Sequence, residues 1–169
     1  MKKHAIKVVR QVNDQYFSLY AGGELSKEYS KDFWTEAPNP QLPLMLFVDL
    51  DEAKSHAAVS RHPIFLCEYE PSETKTVFDY DNSENHDVTL EEVVNYQNGI
   101  VLGYDGVYRE YDDLFNSIKR RWQIKEDREV VFASKLRLIR QLTQEEIQSY
   151  SPEMFKKLLE TMDKEENNV

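Results

Sequence analysis

Hydrophobic and polar positions along the chain separate strands from helices. Ala5 to Val12 is rich in β-branched residues, Asn13-Asp14 is a polar turn pair, and Gln15 to Tyr20 continues with Tyr16, Phe17 and Leu19. Two such runs around a short turn predict a hairpin. Ala21-Gly22-Gly23 ends the second strand, and Leu25 to Thr35 is a mixed stretch. Pro38, Pro40 and Pro43 then forbid a regular ladder. Leu44 to Val48 is continuously apolar, the pattern of a strand covered on both faces. Asp49 is placed to cap a helix over Leu50–Ser60, whose Leu50, Ala53, Ala57 and Ala58 fall on one side. Pro63 ends it and Ile64 to Tyr69 is the next strand, so this stretch reads as a small crossover unit.

Residues 71–88 are polar and acidic and read as a long loop. Thr89 and Glu92 have capping-box spacing for a helix from Leu90 to about Gln97, which stops at Asn98-Gly99. Asp105-Gly106 is a hairpin turn between Ile100–Tyr104 and Val107–Tyr111. Asp112-Asp113 opens a helix with Leu114, Phe115, Ile118 and Trp122 on a core-facing stripe. Glu129 to Arg140 alternates as a strand with Val130, Phe132, Leu136 and Leu138 on its buried face and the other face wet. Thr143 and Glu146 form a second capping box. Ser151-Pro152 starts a closing helix carrying Met154, Phe155, Leu158, Leu159 and Met162 at helical spacing, followed by a frayed polar tail. The expectation is a single α/β or α+β domain over residues 1–163. It has a mixed, mostly antiparallel sheet, three or four helices and a polar tail at 164–169.

Composition sharpens this picture. A chain of 169 residues is one domain by default and long enough to bury a real core. The 21 basic and 31 acidic side chains give a net charge of −10, which argues against duplex nucleic acid as the main partner. The charge is polarised: residues 68–92 carry nine acids and one base, and residues 119–140 carry eight bases and three acids. No apolar run reaches the ~18–20 residues of a membrane span, and the basic start lacks the apolar stretch of a cleavable signal, so a cytoplasmic location is expected. The single cysteine, Cys67, lies in the apolar run Ile64-Phe65-Leu66-Cys67 and reads as a buried inert thiol. One cysteine excludes Cys-cluster zinc and iron–sulfur sites, and no cofactor is expected.

Four constellations carry candidate chemistry. Starting at Asp81, oxygen ligands recur at Ser83, Asn85, Asp87, Thr89 and Glu92 with calcium-loop offsets, but His86 stands where the sharp turn requires Gly. Arg10, Ser18 and the pair Glu68/Glu70 occur in the order used by one class of ADP-ribosyl transferase. There the Arg would hold dinucleotide phosphates and a Glu would stabilise an oxocarbenium ion. The usual Ser-Thr-Ser run is missing, and on a strand Glu68 and Glu70 would merely share a solvated face. His4, His56, His62 and His86 are scattered with no metal-ligand spacing, so no metal site is expected. Lys119, Arg120, Arg121, Trp122, Lys125 and Arg128 form a basic, aromatic patch that could stack single-stranded bases, grip an acidic protein, or pair with the acidic 68–92 segment of a second copy.

The residues Tyr29, Trp34-Thr35-Glu36-Ala37-Pro38, Leu46-Phe47 and Ala53 together resemble a pattern met in small bacterial and phage domains. Those domains likewise close with an alternating strand and a Thr-x-x-Glu helix start. The resemblance covers about half the chain and implies no activity. Glu160, Asp163, Glu165 and Glu166 near the terminus resemble the acidic C-terminal blocks of some type IV secreted effectors, which implies translocation into a host cell as the alternative location. The leading expectation is a non-enzymatic protein-interaction domain with self-association as a further outcome. The alternatives are a small ADP-ribosyltransferase-like enzyme on Arg10, Ser18, Glu68 and Glu70, and a calcium-binding loop protein.

Overall fold

The computed structural model describes residues 2–19, 23–58, 61–80, 88–103, 105–110 and 122–167. The first hairpin forms where the alternation places it: β1 (Lys3–Val12) pairs with β2 (Gln15–Ser18) through a turn in which Asn13 takes a positive φ of 55°. Asn tolerates that left-handed conformation better than most residues. A 3₁₀ turn at Gly23–Leu25 leads to the short strands β3 (Glu28–Tyr29) and β4 (Thr35–Glu36). Then come β5 (Leu44–Phe47), α1 (Leu50–Ala58), β6 (Ile64–Pro71) and β7 (Thr76–Phe78). After α2 (Leu90–Gln97) follow β8 (Ile100–Leu102), β9 (Tyr108–Glu110), β10 (Gln123–Lys125) and β11 (Val130–Gln141). The helices α3 (Gln144–Ser149) and α4 (Pro152–Asn167) close the chain.

The main sheet has seven strands, and every registered pair among the described residues is antiparallel, so the fold is α+β. Its pairings return on themselves. β1 pairs with β6, β6 with β11 and β11 with β5, and β5 meets β1 again at Phe47 opposite Ile6. The ring of β1, β6, β11 and β5 is a small barrel, with β2–β3 and β4 attached at its side. The side-chain period of two then gives each long strand an inside and an outside. Ala5, Val9, Leu44, Leu46, Phe65, Cys67, Leu136 and Leu138 fill the interior with Tyr29. Ile6, Val8, Phe47, Ile64 and Leu66 face outward and are buried beneath α1 and by Phe155 and Leu159 of α4.

This explains why Leu44 to Phe47 is continuously apolar: alternate residues enter two different cores. It also replaces the crossover unit. The strands flanking α1 do not pair with each other but lie on opposite edges of β1. Bulges in β11 between Ala133 and Lys135 and between Leu138 and Arg140 interrupt its alternation. Its outward face is not simply wet, because Ile139 packs under the helices.

Local signals hold where short-range chemistry sets them. Asp49 accepts from the Glu52 amide at 2.9 Å, and Thr143 with Glu146 makes the full capping box. Around Thr89 the reciprocal bond is replaced: the Glu92 carboxylate takes the Tyr80 hydroxyl at 3.1 Å, and the Leu90 amide is capped by Glu24. Within the expected loop 71–88, Thr76–Phe78 is a strand paired with β10. At the C-terminus the helix continues to Asn167, through the stretch read as a frayed tail. Of the apolar residues at helical spacing there, Met154 is 53% exposed while Phe155 and Leu159 are buried. Among the described residues, no helix is long and apolar enough to cross a membrane.

Candidate functional site

Two groups of side chains stand apart from ordinary packing. The first is at the barrel mouth. Lys7 lies between Ala5 and Val9, so strand periodicity turns it to the same side as the barrel filling. There β1 changes neighbours along one edge: β5 pairs at Ile6, whereas β2 begins at Val9. Through this break the Lys7 ammonium donates to the Met45 carbonyl at 2.7 Å and lies 5.2 Å from the Tyr29 ring centroid. Among the described residues no carboxylate pairs with it, although a half-buried cation is costly to leave uncompensated. It borders a hollow of about 270 Å³ whose wall is mostly apolar, including Leu44, Phe47, Phe78 and Tyr80, with Asp79 at an exposed position.

The hollow is built from several elements. Gln97 of α2 holds β7 in place by bonding both polar groups of Phe78, accepting from its amide at 2.7 Å and donating to its carbonyl at 2.8 Å. Tyr80 packs edge-on against Tyr96, with ring centroids 5.1 Å apart. Burial, reinforced by its bond to Glu92, pushes the Tyr80 phenol up to about 12, so it stays a neutral donor. Ser18 and Tyr29 also line the hollow, and their hydroxyls lie 3.2 Å apart. Behind Lys7, burial pushes the Cys67 thiol up to about 12 despite the nearby cation, which makes it inert.

The second group lies on the outer wall, where the apolar outward face turns polar at the start of β1. His4, Glu68 and Arg137 are cross-strand neighbours in register on three adjacent strands. Arg137 donates to Glu68, whose side chain is almost wholly buried. From α4, Asp163 accepts from the His4 backbone amide at 2.7 Å and lies 2.9 Å from its Nδ1, while Glu166 lies 3.0 Å from Nε2. His4 itself is 5% exposed. Beyond Arg137 stands Trp34, with Lys2, Lys135 and Arg137 at 5.1–5.4 Å from its ring centroid, and Lys135 pairs with Glu70 at 3.4 Å.

The residues singled out by the sequence are not brought together. Arg10 is exposed near the end of β1 and sits over Phe17, 5.7 Å from its centroid. Ser18 is buried and also accepts from the Lys27 amide at 3.0 Å. Glu68 and Glu70 lie at the opposite end of the β1–β6 ladder. At about 3.3 Å per strand residue, Arg10 and Glu70 are roughly 25 Å apart and share no cleft. Glu68 is buried against Arg137 and is not on a solvated face. In the calcium-loop pattern, Asp81, Ser83, Asn85 and Asp87 lie outside the described residues, and Thr89 and Glu92 serve the start of α2. In the basic patch, Lys119, Arg120 and Arg121 also lie outside the described residues; Lys125 and Arg128 are exposed. Trp122 is 68% exposed, which removes it from the core-facing stripe.

Sequence reading passed over Lys7, and it named His4, Asp163 and Glu166 without joining them. A lysine amid Ile6, Val8 and Val9 reads as the polar member of an alternating strand, and only ring closure turns that side inward. His4 and Glu166 are separated by nearly the whole chain, so spacing carries no signal of their contact. No family model matches the chain, and no curated protein or solved structure matches it.

Proposed function

We propose that this is a non-catalytic binding domain whose barrel-mouth hollow takes a small molecule with an apolar, flat body and a singly anionic head. The observation that carries this reading is Lys7, a cation on the inward side of the barrel that no described carboxylate neutralises, facing an apolar hollow. A volume of about 270 Å³ is just below the ~300 Å³ at which drug-sized pockets begin, which favours a compact ligand. The aromatic and aliphatic walls would remove its body from water, and the ammonium would take its head. Binding is favoured over catalysis because, among the described residues, the wall hydroxyls of Ser18 and Tyr29 bond to each other, and Ser18 to the Lys27 amide, with no base paired to either.

The test is an NMR titration of the full chain with benzoate and with the neutral analogue benzyl alcohol. Benzoate should shift the amides of Lys7, Ser18 and Phe78, and benzyl alcohol should bind at least tenfold more weakly. A charge-assisted hydrogen bond contributes about 1.5–3 kcal/mol, which corresponds to tenfold or more. Lys7→Met should abolish the preference for the acid. Equal affinity for the two probes would refute the reading.

A protein partner is the second reading, supported by Trp122. An indole left 68% exposed, three and six positions before the exposed Lys125 and Arg128, is the composition of a contact anchor for an acidic surface, including the acidic segment of a second copy. Light scattering across a concentration series tests self-association, and Trp122→Ala should reduce it without lowering the melting temperature.

A further inference from the structure

We infer that His4, Glu68 and Glu166 form a binding site for one zinc ion, which ties the C-terminal end of α4 to the outer wall of the barrel. One ligand atom from each of the three side chains lies within 4.8 Å of the others. Two atoms bound to zinc at about 2.1 Å, at a tetrahedral angle, sit about 3.4 Å apart. His4 Nε2 and Glu166 lie 3.0 Å apart, close to that separation, and Glu166 is half-buried near the end of α4, where its side chain can adjust around an ion. Imidazole and carboxylate together suit a borderline divalent metal, and three protein ligands leave the fourth position to water.

The histidine carries the argument. Both of its ring nitrogens face carboxylate oxygens, Asp163 at Nδ1 and Glu166 at Nε2. A neutral imidazole has one N–H, so it satisfies only one of these contacts. With Nδ1–H donated to Asp163, the Nε2 lone pair points toward Glu166, and a cation between them satisfies both. Asp163 also holds the His4 backbone amide, which fixes the strand and the ring together. A carboxylate behind a ligating histidine is the usual means of orienting the ring and raising its basicity. Arg137 bonds Oε1 of Glu68 and so orients the carboxylate that contributes one oxygen to the cluster.

This site is distinct from the hollow at Lys7, and its test is independent of ligand binding there. The full chain, stripped with EDTA and dialysed, is titrated calorimetrically with zinc chloride, and its melting temperature is measured with zinc and with EDTA. We expect one equivalent bound and a higher melting temperature in zinc. Glu166→Gln, a change near a helix end that should not disturb folding, should weaken zinc at least tenfold. Glu160→Gln, an exposed acid on the same helix, should not weaken it. No binding of zinc, or equal binding by Glu166→Gln and wild type, would overturn the inference. Either result would assign the cluster to a metal-free contact in which His4 joins β1 to Asp163 and Glu166 of α4.

Discussion

Replacing Lys7 by Met tests whether the inward lysine serves the fold or a ligand, because the two accounts differ in the sign of the stability change. Met keeps the length and apolar stem and removes the charge. If the lysine is structural, the loss is its hydrogen bond to Met45 and its contact with Tyr29. These contribute about 1.5 and about 0.5–1 kcal/mol, for roughly 2 kcal/mol in total. If the lysine is retained for binding, the desolvation of a half-buried cation without a counter-ion offsets those contacts. Removal should then be neutral or stabilising by up to about 1 kcal/mol. Urea denaturation of both proteins, with the slope checked for equality, measures the difference. A chain of this size moves its melting temperature by about 2–4 °C per kcal/mol, so the two outcomes are separable by heat as well. A loss near 2 kcal/mol together with unchanged benzoate binding would refute the functional account of Lys7.

Three further outcomes follow from the packing and the charges. Phe155 is fully buried between α4 and the barrel wall, so Phe155→Ala should cost about 3–5 kcal/mol in urea denaturation, whereas Met154→Ala should cost under about 0.5 kcal/mol; equal effects would contradict the orientation of α4. The Arg140 guanidinium, bonding both Glu146 oxygens at 2.7 and 2.8 Å, holds that carboxyl down at about 2 from its ordinary value of 4.5. Because the folded value is depressed, its stabilisation, about 1 kcal/mol after solvent screening, is complete above pH 4.5 and lost as pH falls toward 2. The stability gap between wild type and Glu146→Gln should therefore narrow between pH 6 and pH 2.5, and a constant gap would refute the assignment. Cys67, with its thiol pushed up to about 12, should resist a disulfide exchange reagent in the folded protein and react only on unfolding; rapid native labelling would contradict its burial.

The chain by itself determined what depends on neighbours a few residues apart. The β1–β2 hairpin, the Asp49 cap, the Thr143–Glu146 capping box, the Asp105-Gly106 hairpin and the Ser151-Pro152 helix start are all written in short-range chemistry. A mostly antiparallel sheet with three or four helices, α/β or α+β, and a buried Cys67 were also legible, from strand and helix periodicity and from the apolar run around the thiol. Tertiary structure decided what depends on pairing between distant strands. Closure of the barrel through β5 turned one side of β1 into an interior, converting Lys7 from a polar surface residue into a cation facing a hollow. The β1–β6–β11 register laid His4, Glu68 and Arg137 in a row, and the packing of α4 brought Asp163 and Glu166 onto it. The same register separated Arg10 from Glu70, which chain order had placed in one pattern. Periodicity states which residues share a face of a strand; which face becomes an inside, and what meets it there, is set by long-range hydrogen bonding.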